Sequence, residues 1–566
     1  MAAAAKKDLL EASRFEVDHI DELNHLAGLG NNGRNPQSIS SQLKSKLGSN
    51  PFALVSSTFM LPIKCTNRFS QASQKILLPH AVFSCLYNHY PAAFKARICD
   101  SEDRLQRFWE EMAGSPQFGG HPVAQRDNFM RRAVPISIHG DAVPVTGVAK
   151  KWGKSVVVHL WCSMLGRGAT NQFNFFVWSI YTVLKSERFS ANTAYNFWRI
   201  YTWSLYWLDR GLWPDRDWLG NLYTTGIDFA RRLTPLAGVV TDYYFGVLWG
   251  IKNDLEYSWK ELKLPNCNAN DCCCFCPANT TTHPMHDYSS GAAWLSSIYS
   301  KLQWENSVWN RHTLFRLPGV SIYTVLCDLM HVKHLGVDVY LLGSVLSLLC
   351  YRMLPDSPAR NLAVVWGSIS DYYKSNPTSC QLSDLTLSMF CNCKAPDEDT
   401  AKYPLLKTKA NESRHFNKTM LHVWRLYMDA GDLQHKQIEL GLQASSTMED
   451  ILNDNSESFA LGAEAGGAFL KQTFTYLRFF NALAQHYKGT LMLFDVTAKA
   501  HYMAHAALTA RYINPRLGWC YAGEDFMSCC KILHQMCSFG KAIWKTELSF
   551  VDRYVIAQHL ELSRTF

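Results

Sequence analysis

The fold prediction starts from Val134–Asp141, VPISIHGD, and from Val156–Trp161, VVVHLW, which follows it along the chain. Both stretches are short and apolar, and the turn-rich segment GVAKKWGKS separates them, so they predict two strands joined by a loop. FNFFVWSIY, at Phe173–Tyr181, is a candidate third strand. Together these segments predict a β-meander that opens a mixed sheet.

Further along the chain, helical and strand-like patterns alternate. Large apolar residues recur at helical spacing in Trp198–Trp213 and Leu219–Leu233, and YYFGVLWGIKND predicts a strand that ends at Asp254. Residues 263–500 hold a cysteine cluster, several helical segments and a polar break near residues 395–410. This order predicts a mixed α/β protein whose sheet is interrupted by a large, mostly helical insertion.

Length and composition limit the classes of protein to which this chain can belong. A chain of 566 residues is long enough for two or three domains, and 47% hydrophobic against 18% charged residues favours a folded chain over a disordered one. The net charge of +8 suits an anionic partner such as nucleic acid. The apolar stretch Val339–Leu354 contains polar residues and is shorter than the ~20 residues of a membrane span, so it predicts a buried helix.

The N-terminal stretch indicates the compartment, and the compartment decides how the cysteines are interpreted. The N-terminal stretch becomes charged and amphipathic at once, without the apolar core of a signal peptide, so we expect a cytosolic or nuclear protein. In that reducing setting the 18 cysteines predict free thiols and one metal site rather than disulfides.

Three acids from distant parts of the chain are candidate catalytic residues: Asp141, Asp254 and Glu524. Each also has a structural explanation, because an Asp after a strand caps a turn, Asp254 suits a helix N-cap and Glu524 suits the start of a helix. Two-metal phosphoryl chemistry requires such distant acids to converge on cations ~3.5–4 Å apart. Mg²⁺ and Mn²⁺ prefer these hard oxygen ligands.

A second candidate site is a structural zinc site. Cys273-x-x-Cys276 has the spacing with which two thiolates bind one tetrahedral Zn²⁺. His501 and His505 are four residues apart and would project from one helix face. The alternatives are that these side chains never meet, or that the neighbouring Cys272 or Cys274 supplies a ligand.

Four segments carry a family resemblance: PISIHGDAVPVTG, KNDLEYSWKELKLP followed by a CxxC pair, CDLMHVKHLG, and YAGEDFM. In this order they resemble the motifs of DDE-type DNA transposases of the broad CACTA-like group. The resemblance implies an RNase H-like mixed sheet with flanking helices, and two Mg²⁺ or Mn²⁺ ions held by Asp141, Asp254 and Glu524. The CxxC and paired-histidine arrangement resembles the zinc site of the V(D)J recombinase catalytic subunit and its transposon relatives.

The family's D-x-x-H signature corresponds to Asp328 and His331, whose structural explanation is an N-cap aspartate and a hydrogen-bonded histidine. Asp328 is also the alternative second acid, because SIYTVLCD has the character of a strand that ends on it. Asp525 is the alternative third acid.

The resemblance divides the chain into four parts. Residues 1–130 form an N-terminal helical and loop-rich region of unknown role, residues 131–262 the first part of the catalytic core, residues 263–500 the insertion and residues 501–566 the last part of the core. The implied function is DNA strand cleavage and transfer in a nuclear protein that binds transposon ends and target DNA and forms a homo-oligomer, with no membrane partner. The alternative is a domesticated, catalytically inactive DNA- or chromatin-binding protein.

Basic pairs are the candidate phosphate contacts, which would be independent of DNA sequence and sensitive to salt. They are Arg131 with Arg132, Lys150 with Lys151, Arg231 with Arg232, and the stretch from Arg311 through Arg316 to Lys333.

Overall fold

The computed structural model describes residues 54–65, 68–145, 155–188, 191–378, 380–391, 402–538 and 542–563. The strands in this part of the chain are β1 Ser57–Cys65, β2 Arg68–Ile76, β3 Ala133–Pro144, β4 Ser155–Ser163, β5 Asn174–Tyr181, β6 Gly238–Val239, β7 Asp242–Tyr243, β8 Phe245–Lys252 and β9 Val325–Leu326.

The helices of the first half are α1 Pro79–His89, α2 Pro91–Phe94, α3 Glu102–Met112, α4 Phe129–Arg132, α5 Thr170–Phe173, α6 Thr193–Arg210, α7 Gly226–Arg231, α8 Leu255–Lys260 and α9 Lys301–Glu305. Those of the second half are α10 Asp338–Leu348, α11 Pro358–Ser375, α12 Leu387–Phe390, α13 Ala410–Tyr427, α14 Leu433–Asp454, α15 Gly462–Tyr487, α16 Ala498–Thr509, α17 Tyr521–Ser538 and α18 Ile543–Ser563.

The central feature is a mixed five-stranded sheet with the strand order β5-β4-β3-β8-β9. Strands β3, β4 and β5 are antiparallel neighbours, so the predicted β-meander is confirmed. Strand β8 runs parallel to β3, and β9 runs parallel to β8. Strand β9 comes from the segment 263–500 that the sequence assigned to the insertion, so this segment also contributes to the sheet.

Helices cover both faces of this sheet, which explains why its strands are continuous apolar runs. All eight residues of β5 are buried, and β4 is buried except at its first residue. Helix α6 packs on β8, α17 on β3, and α18 on β5 and β2. Polar–apolar alternation is therefore absent from these strands, and only their length and flanking turns distinguish them from buried helices.

The N-terminal region differs from its prediction. Residues 57–65 and 68–76, which the sequence assigned to a helical and loop-rich region, pair as the antiparallel strands of the hairpin β1–β2. The second strand, RFSQASQKI, is mostly polar and gives no strand signal. The hairpin nevertheless packs against α18, and directly after β2 the amide of Leu77 donates a backbone hydrogen bond to the carbonyl oxygen of Val177, 2.9 Å. Tertiary contacts thus stabilise a hairpin that local preference does not predict. Residues 1–53 lie outside the described part.

A second difference concerns Leu219–Leu233, which the sequence predicts as helical. Only Gly226–Arg231 is helical there. Gly220 and Gly226 have φ values of +97° and +78°, in the left-handed region, so the backbone turns at both positions and cannot form one continuous helix.

The apolar stretch near residue 340 is part of one long helix, Met330–Met353, with α10 at its centre. Among the described residues it is the one helix long and apolar enough to cross a membrane by length and composition, with a mean hydropathy of 1.5. Since 83% of this apolar window is buried inside the protein, it has the character of a core helix, as the sequence predicted. It packs against α13 and α16.

Candidate active site and metal centre

The sheet brings three aspartates to one edge. His139 of β3 pairs with Lys252 of β8, and Lys252 pairs in turn with Leu326 of β9. The residues two positions further along these three strands are Asp141, Asp254 and Asp328. Because neighbouring parallel strands lie ~4.8 Å apart, Asp254 and Asp328, which follow the ends of β8 and β9, lie on the same side of the sheet as Asp141, which is still within β3.

Asp141 does not lie in a turn after its strand, as the sequence suggested. It lies inside β3, where it pairs with Val158 of β4, because the strand continues to Pro144. Its Oδ1 accepts a hydrogen bond from the amide of Ala142, 2.6 Å. The carboxylate is therefore held on a rigid strand rather than on a loop.

Asp254 is the N-cap of α8, as its structural explanation predicted, and its Oδ1 accepts a hydrogen bond from the amide of Tyr257, 2.6 Å. The ring of Tyr257 packs on Gly140, where a Cβ atom would lie 2.2 Å from the tyrosine oxygen. The Tyr257 hydroxyl also bonds with His159 Nδ1 of β4, 2.6 Å. The cap therefore fixes α8, and with it Asp254, against the strand that carries Asp141.

Glu524 lies beside the same part of the sheet, although it comes from near the other end of the chain. It lies in the first turn of α17, and the preceding Gly523 packs so closely on His139 that a Cβ atom would lie 2.4 Å from the ring. Burial, and next the charge of Asp141, raise the pKa of Glu524 to about 7. Burial also raises the pKa of Asp141, and the charge of Asp254 adds to this rise. Asp141, Asp254 and Glu524, here called the acid cluster, thus lie close enough to repel one another.

Asp328 and His331 form a hydrogen-bonded pair beside the acid cluster. Asp328 Oδ1 accepts hydrogen bonds from the amides of Met330, 2.9 Å, and Cys520, 3.2 Å, and its Oδ2 binds His331 Nδ1 at 2.5 Å. Burial lowers the pKa of His331, but the bond to Asp328 and its charge outweigh burial and raise the pKa to about 9. Asp254 and Glu524 contribute further to this rise. Both Asp328 oxygens thus accept protein hydrogen bonds, while Asp328, His331 and Cys520 also lie close enough together to hold a metal ion, so Asp328 stays the alternative second acid.

The alternative third acid, Asp525, lies on a different side of α17. Asp525 is exposed and accepts a hydrogen bond from the hydroxyl of Thr170, 3.5 Å. Glu524, not Asp525, interacts with Asp141.

Asp141 and Asp254 line an open cleft of about 1030 Å³. Three lysines lie along it, at positions 185, 260 and 263, and Trp259 is 43% exposed. Lys185 forms an ion pair with Glu261, and Lys260 with Glu256. The cleft thus combines five acids, Asp141, Glu187, Asp254, Glu256 and Glu261, with these three lysines and an exposed aromatic ring, so the charge of its lining is net negative without bound cations.

The four predicted zinc ligands meet in the interior. Ligand atoms of Cys273, Cys276, His501 and His505 lie within 4.8 Å of one another, and all four residues are buried. Cys276 Sγ lies 3.2 Å from His501 Nε2 and 3.3 Å from His505 Nε2. We call these four residues the Cys/His cluster. It joins the chain segment after α8 to helix α16 and can hold a metal ion.

The surroundings of the Cys/His cluster fit a metal ion. His501 Nδ1 lies 3.2 Å from the backbone oxygen of Met285, an arrangement that fixes the ring so that Nε2 faces the ligands. The hydrogen bond with Cys273, opposed by burial, lowers the pKa of Cys276 well below its usual range. Cys272 contacts Met285 Sδ instead, 3.3 Å, and is not part of the cluster.

The basic pairs have different environments. Lys333 is fully buried and bonded to Asp338 and Glu449, so its prediction as a phosphate contact is wrong. Arg132 binds Glu102 and Asp242, and the guanidinium of Arg231 lies 3.6 Å from the centre of the Trp213 ring.

The other predicted phosphate contacts differ in exposure. Arg232, Arg311 and Arg316 are exposed, and Arg131 is exposed at the end of α4. Lys150 and Lys151 lie outside the described residues.

Comparison of the sequence with protein-family models finds no matching family, and comparison with curated proteins finds no match either.

Proposed function

We propose that this protein is a DDE-type DNA transposase, which cleaves DNA strands at transposon ends and transfers them to target DNA in a metal-dependent reaction. The observation that carries the proposal is that Asp141 on β3, Asp254 just after the parallel strand β8, and Glu524 on α17 lie close enough for their charges to interact. These residues are far apart in sequence, and structural caps alone do not require them to meet. The mixed five-stranded sheet with helices packed on it also supports the proposal, because it is compatible with the mixed α/β class that the resemblance implies.

The acid cluster offers the carboxylate oxygens that Mg²⁺ or Mn²⁺ prefers, but among the described residues it is not one of the groups whose ligand atoms all lie within 4.8 Å of one another. Burial raises the pKa values of Asp141 and Glu524 most, and the repulsion among the three acids, which a bound cation would relieve, adds to the rise. Two bound ions would activate the attacking water or 3′-hydroxyl and stabilise the leaving oxygen. The protein's own contribution is rigidity: β3 holds Asp141, the α8 cap holds Asp254, and Asp328 orients His331 toward the acids.

The Cys/His cluster, on this proposal, binds structural Zn²⁺. Two thiolates and two imidazoles form a closed tetrahedral donor set, with no position left for water or substrate. The ion would tie the segment after α8 to helix α16, and therefore the two ends of the insertion to each other. It would take no part in the chemistry of the cleft.

DNA would lie along the cleft, with Lys260 and Lys263 near its phosphates and Trp259 available to stack on a base. The protein would act in the nucleus, as a homo-oligomer.

The test is a cleavage and strand-joining assay on a plasmid carrying DNA ends, with Mg²⁺ or Mn²⁺. Asp141→Asn removes one charge with almost no change in shape, and Asp525→Asn is the matched control on the exposed side of α17. We expect nicking or joining that needs the metal, is lost in Asp141→Asn and persists in Asp525→Asn. Equal activity of wild type and Asp141→Asn would reject the assignment. DNA binding without cleavage in every protein would favour the domesticated DNA-binding alternative.

A further inference from the structure

A fully buried network of charged side chains lies where the insertion helices meet the helix Met330–Met353. Lys333 Nζ lies 2.9 Å from both Asp338 Oδ2 and Glu449 Oε1 and donates to Ser445 Oγ at 3.0 Å. Asp338 Oδ1 accepts from the hydroxyl of Tyr476, 2.9 Å. A buried charge with all its partners present is rigid, because moving any member would leave an unpaired charge in the interior.

Glu449 of α14 is the centre of this network. Its Oε1 also lies 2.8 Å from His334 Nε2, and its Oε2 accepts from Arg414 Nε of α13, 2.8 Å. Burial acts to raise the pKa of Glu449, but the charges of Lys333, His334 and Arg414 hold it well below its ordinary value. Glu449 of α14 therefore holds one side of the His334 ring, and Arg414 of α13 in turn holds Glu449.

The other side of the ring binds the helix of the acid cluster. His334 Nδ1 lies 2.7 Å from the hydroxyl of Tyr521, the first residue of α17. Three residues after Tyr521 comes Glu524. Likewise, His334 follows His331 by three residues on its own helix, and His331 is bonded to Asp328. One hydrogen bond thus connects the turn carrying Glu524 to the turn carrying His331.

We propose that Tyr521 and His334 are positioning residues, through which Glu449 of the insertion sets the place of Glu524 in the acid cluster. This inference rests on the proposed function. The insertion would then be more than a structural addition, because a movement of α13 or α14 would change the distance of Glu524 from Asp141. Replacing a residue that hydrogen-bonds directly to a metal ligand typically changes metal affinity or activity about 10- to 100-fold, and Tyr521, which acts on Glu524 through the turn of α17, should lie at the lower end of this range.

The decisive variant is Tyr521→Phe, which removes the hydroxyl and keeps the ring. Its control is Tyr427→Phe, because the Tyr427 hydroxyl also makes one hydrogen bond, 2.8 Å to Ser368, but within the insertion. The zinc-loaded full chain is titrated with Mn²⁺ by calorimetry, and kcat and KM for DNA cleavage and the melting temperature are measured. Glu449→Gln, which keeps an acceptor for His334, tests the insertion's side of the contact, and Tyr521→Phe decides alone if that variant does not fold.

We expect Tyr521→Phe to weaken Mn²⁺ binding about tenfold and to lower kcat with KM for DNA unchanged, while its melting temperature stays close to that of Tyr427→Phe. Glu449→Gln should shift Mn²⁺ affinity in the same direction. Wild-type Mn²⁺ affinity and kcat in Tyr521→Phe would overturn the positioning role and leave the proposed function intact. No Mn²⁺ binding that depends on Asp141 in the wild type would overturn the proposed function and this inference with it.

Discussion

The acid cluster and the Cys/His cluster are both groups of potential metal ligands, but they differ in burial and in the interactions among their members. The acid cluster is half-buried and borders an open cleft, and its members repel one another. The Cys/His cluster is closed, and its members hydrogen-bond to each other. Structural metal sites are closed, whereas catalytic sites keep positions open for water and substrate. On the proposed function, this is the contrast we expect between a site for reaction and a site for stability.

The largest expected effect is on catalysis. Asp254→Asn should reduce metal-dependent DNA cleavage by about 10³-fold or more, because the cations supply several kcal/mol of transition-state stabilisation. Single-turnover cleavage rates in Mg²⁺ measure this, with Asp525→Asn as the control. A rate within a few-fold of wild type would mean that the two clusters do not differ in the way described.

The next effect is on zinc content. Metal analysis of the purified protein should find about one equivalent of tightly bound Zn²⁺, as one four-ligand site requires, and close to none in the double variant His501→Ala, His505→Ala. Cys529→Ser is the control, since Cys529 is exposed and outside the cluster. Full retention of Zn²⁺ in the double variant would reject these ligands.

A smaller effect is expected from packing beneath the acid cluster. Gly140→Ala should destabilise the protein by about 1–3 kcal/mol, because its Cβ would overlap the Tyr257 ring and displace α8. Urea denaturation measures the change. Gly367→Ala is the matched control on α11, with nothing within 4 Å of the new Cβ, and should be neutral or slightly stabilising. Equal stability of both variants would show that Tyr257 does not pack on β3.

The smallest effect is the pH dependence of the metal-free protein. The pKa of Glu524 is raised to about 7 from an ordinary 4.5, so between these values the folded state binds more protons than the unfolded state. Stability should therefore fall as pH rises from about 5 to 7.5, by roughly 1–2 kcal/mol. Denaturation in the presence of EDTA at several pH values measures the slope. Glu524→Gln should flatten it, and an equally steep slope in that variant would contradict the assignment.

Much of the sheet could be predicted from the sequence. Strands β3, β4, β5 and β8 coincide with short apolar runs between turn signals, and the buried helix around Val339–Leu354 was predicted from its length. The hairpin β1–β2 was missed because its second strand is mostly polar and depends on packing against α18. The candidate strand SIYTVLCD forms only the two-residue strand β9, because Ile322–Thr324 are in a 3₁₀ turn before it.

The sequence predicted which residues belong to the candidate site, but not how their side chains are arranged. The spacing of the cysteine and histidine pairs predicted the four ligands that meet in the Cys/His cluster. The roles of Tyr257, His334 and Tyr521 were not predicted, because each depends on a partner from a distant segment. Asp254 and Asp328 could not be separated by sequence, since both follow apolar runs and both begin helices.

The sequence by itself determined which residues are available for chemistry: acids at strand ends, a CxxC pair and histidines four apart on a helix. These follow from local periodicity and from the ligand preferences of metal ions. Only the tertiary structure decided which of them meet, because the register of β3, β8 and β9 and the packing of α17 on β3 depend on contacts between segments that lie from 74 residues apart (Ile251 and Val325) to 384 residues apart (His139 and Gly523). It also decided that Lys333 is a buried structural charge, since burial is a property of the packed molecule and not of the residue.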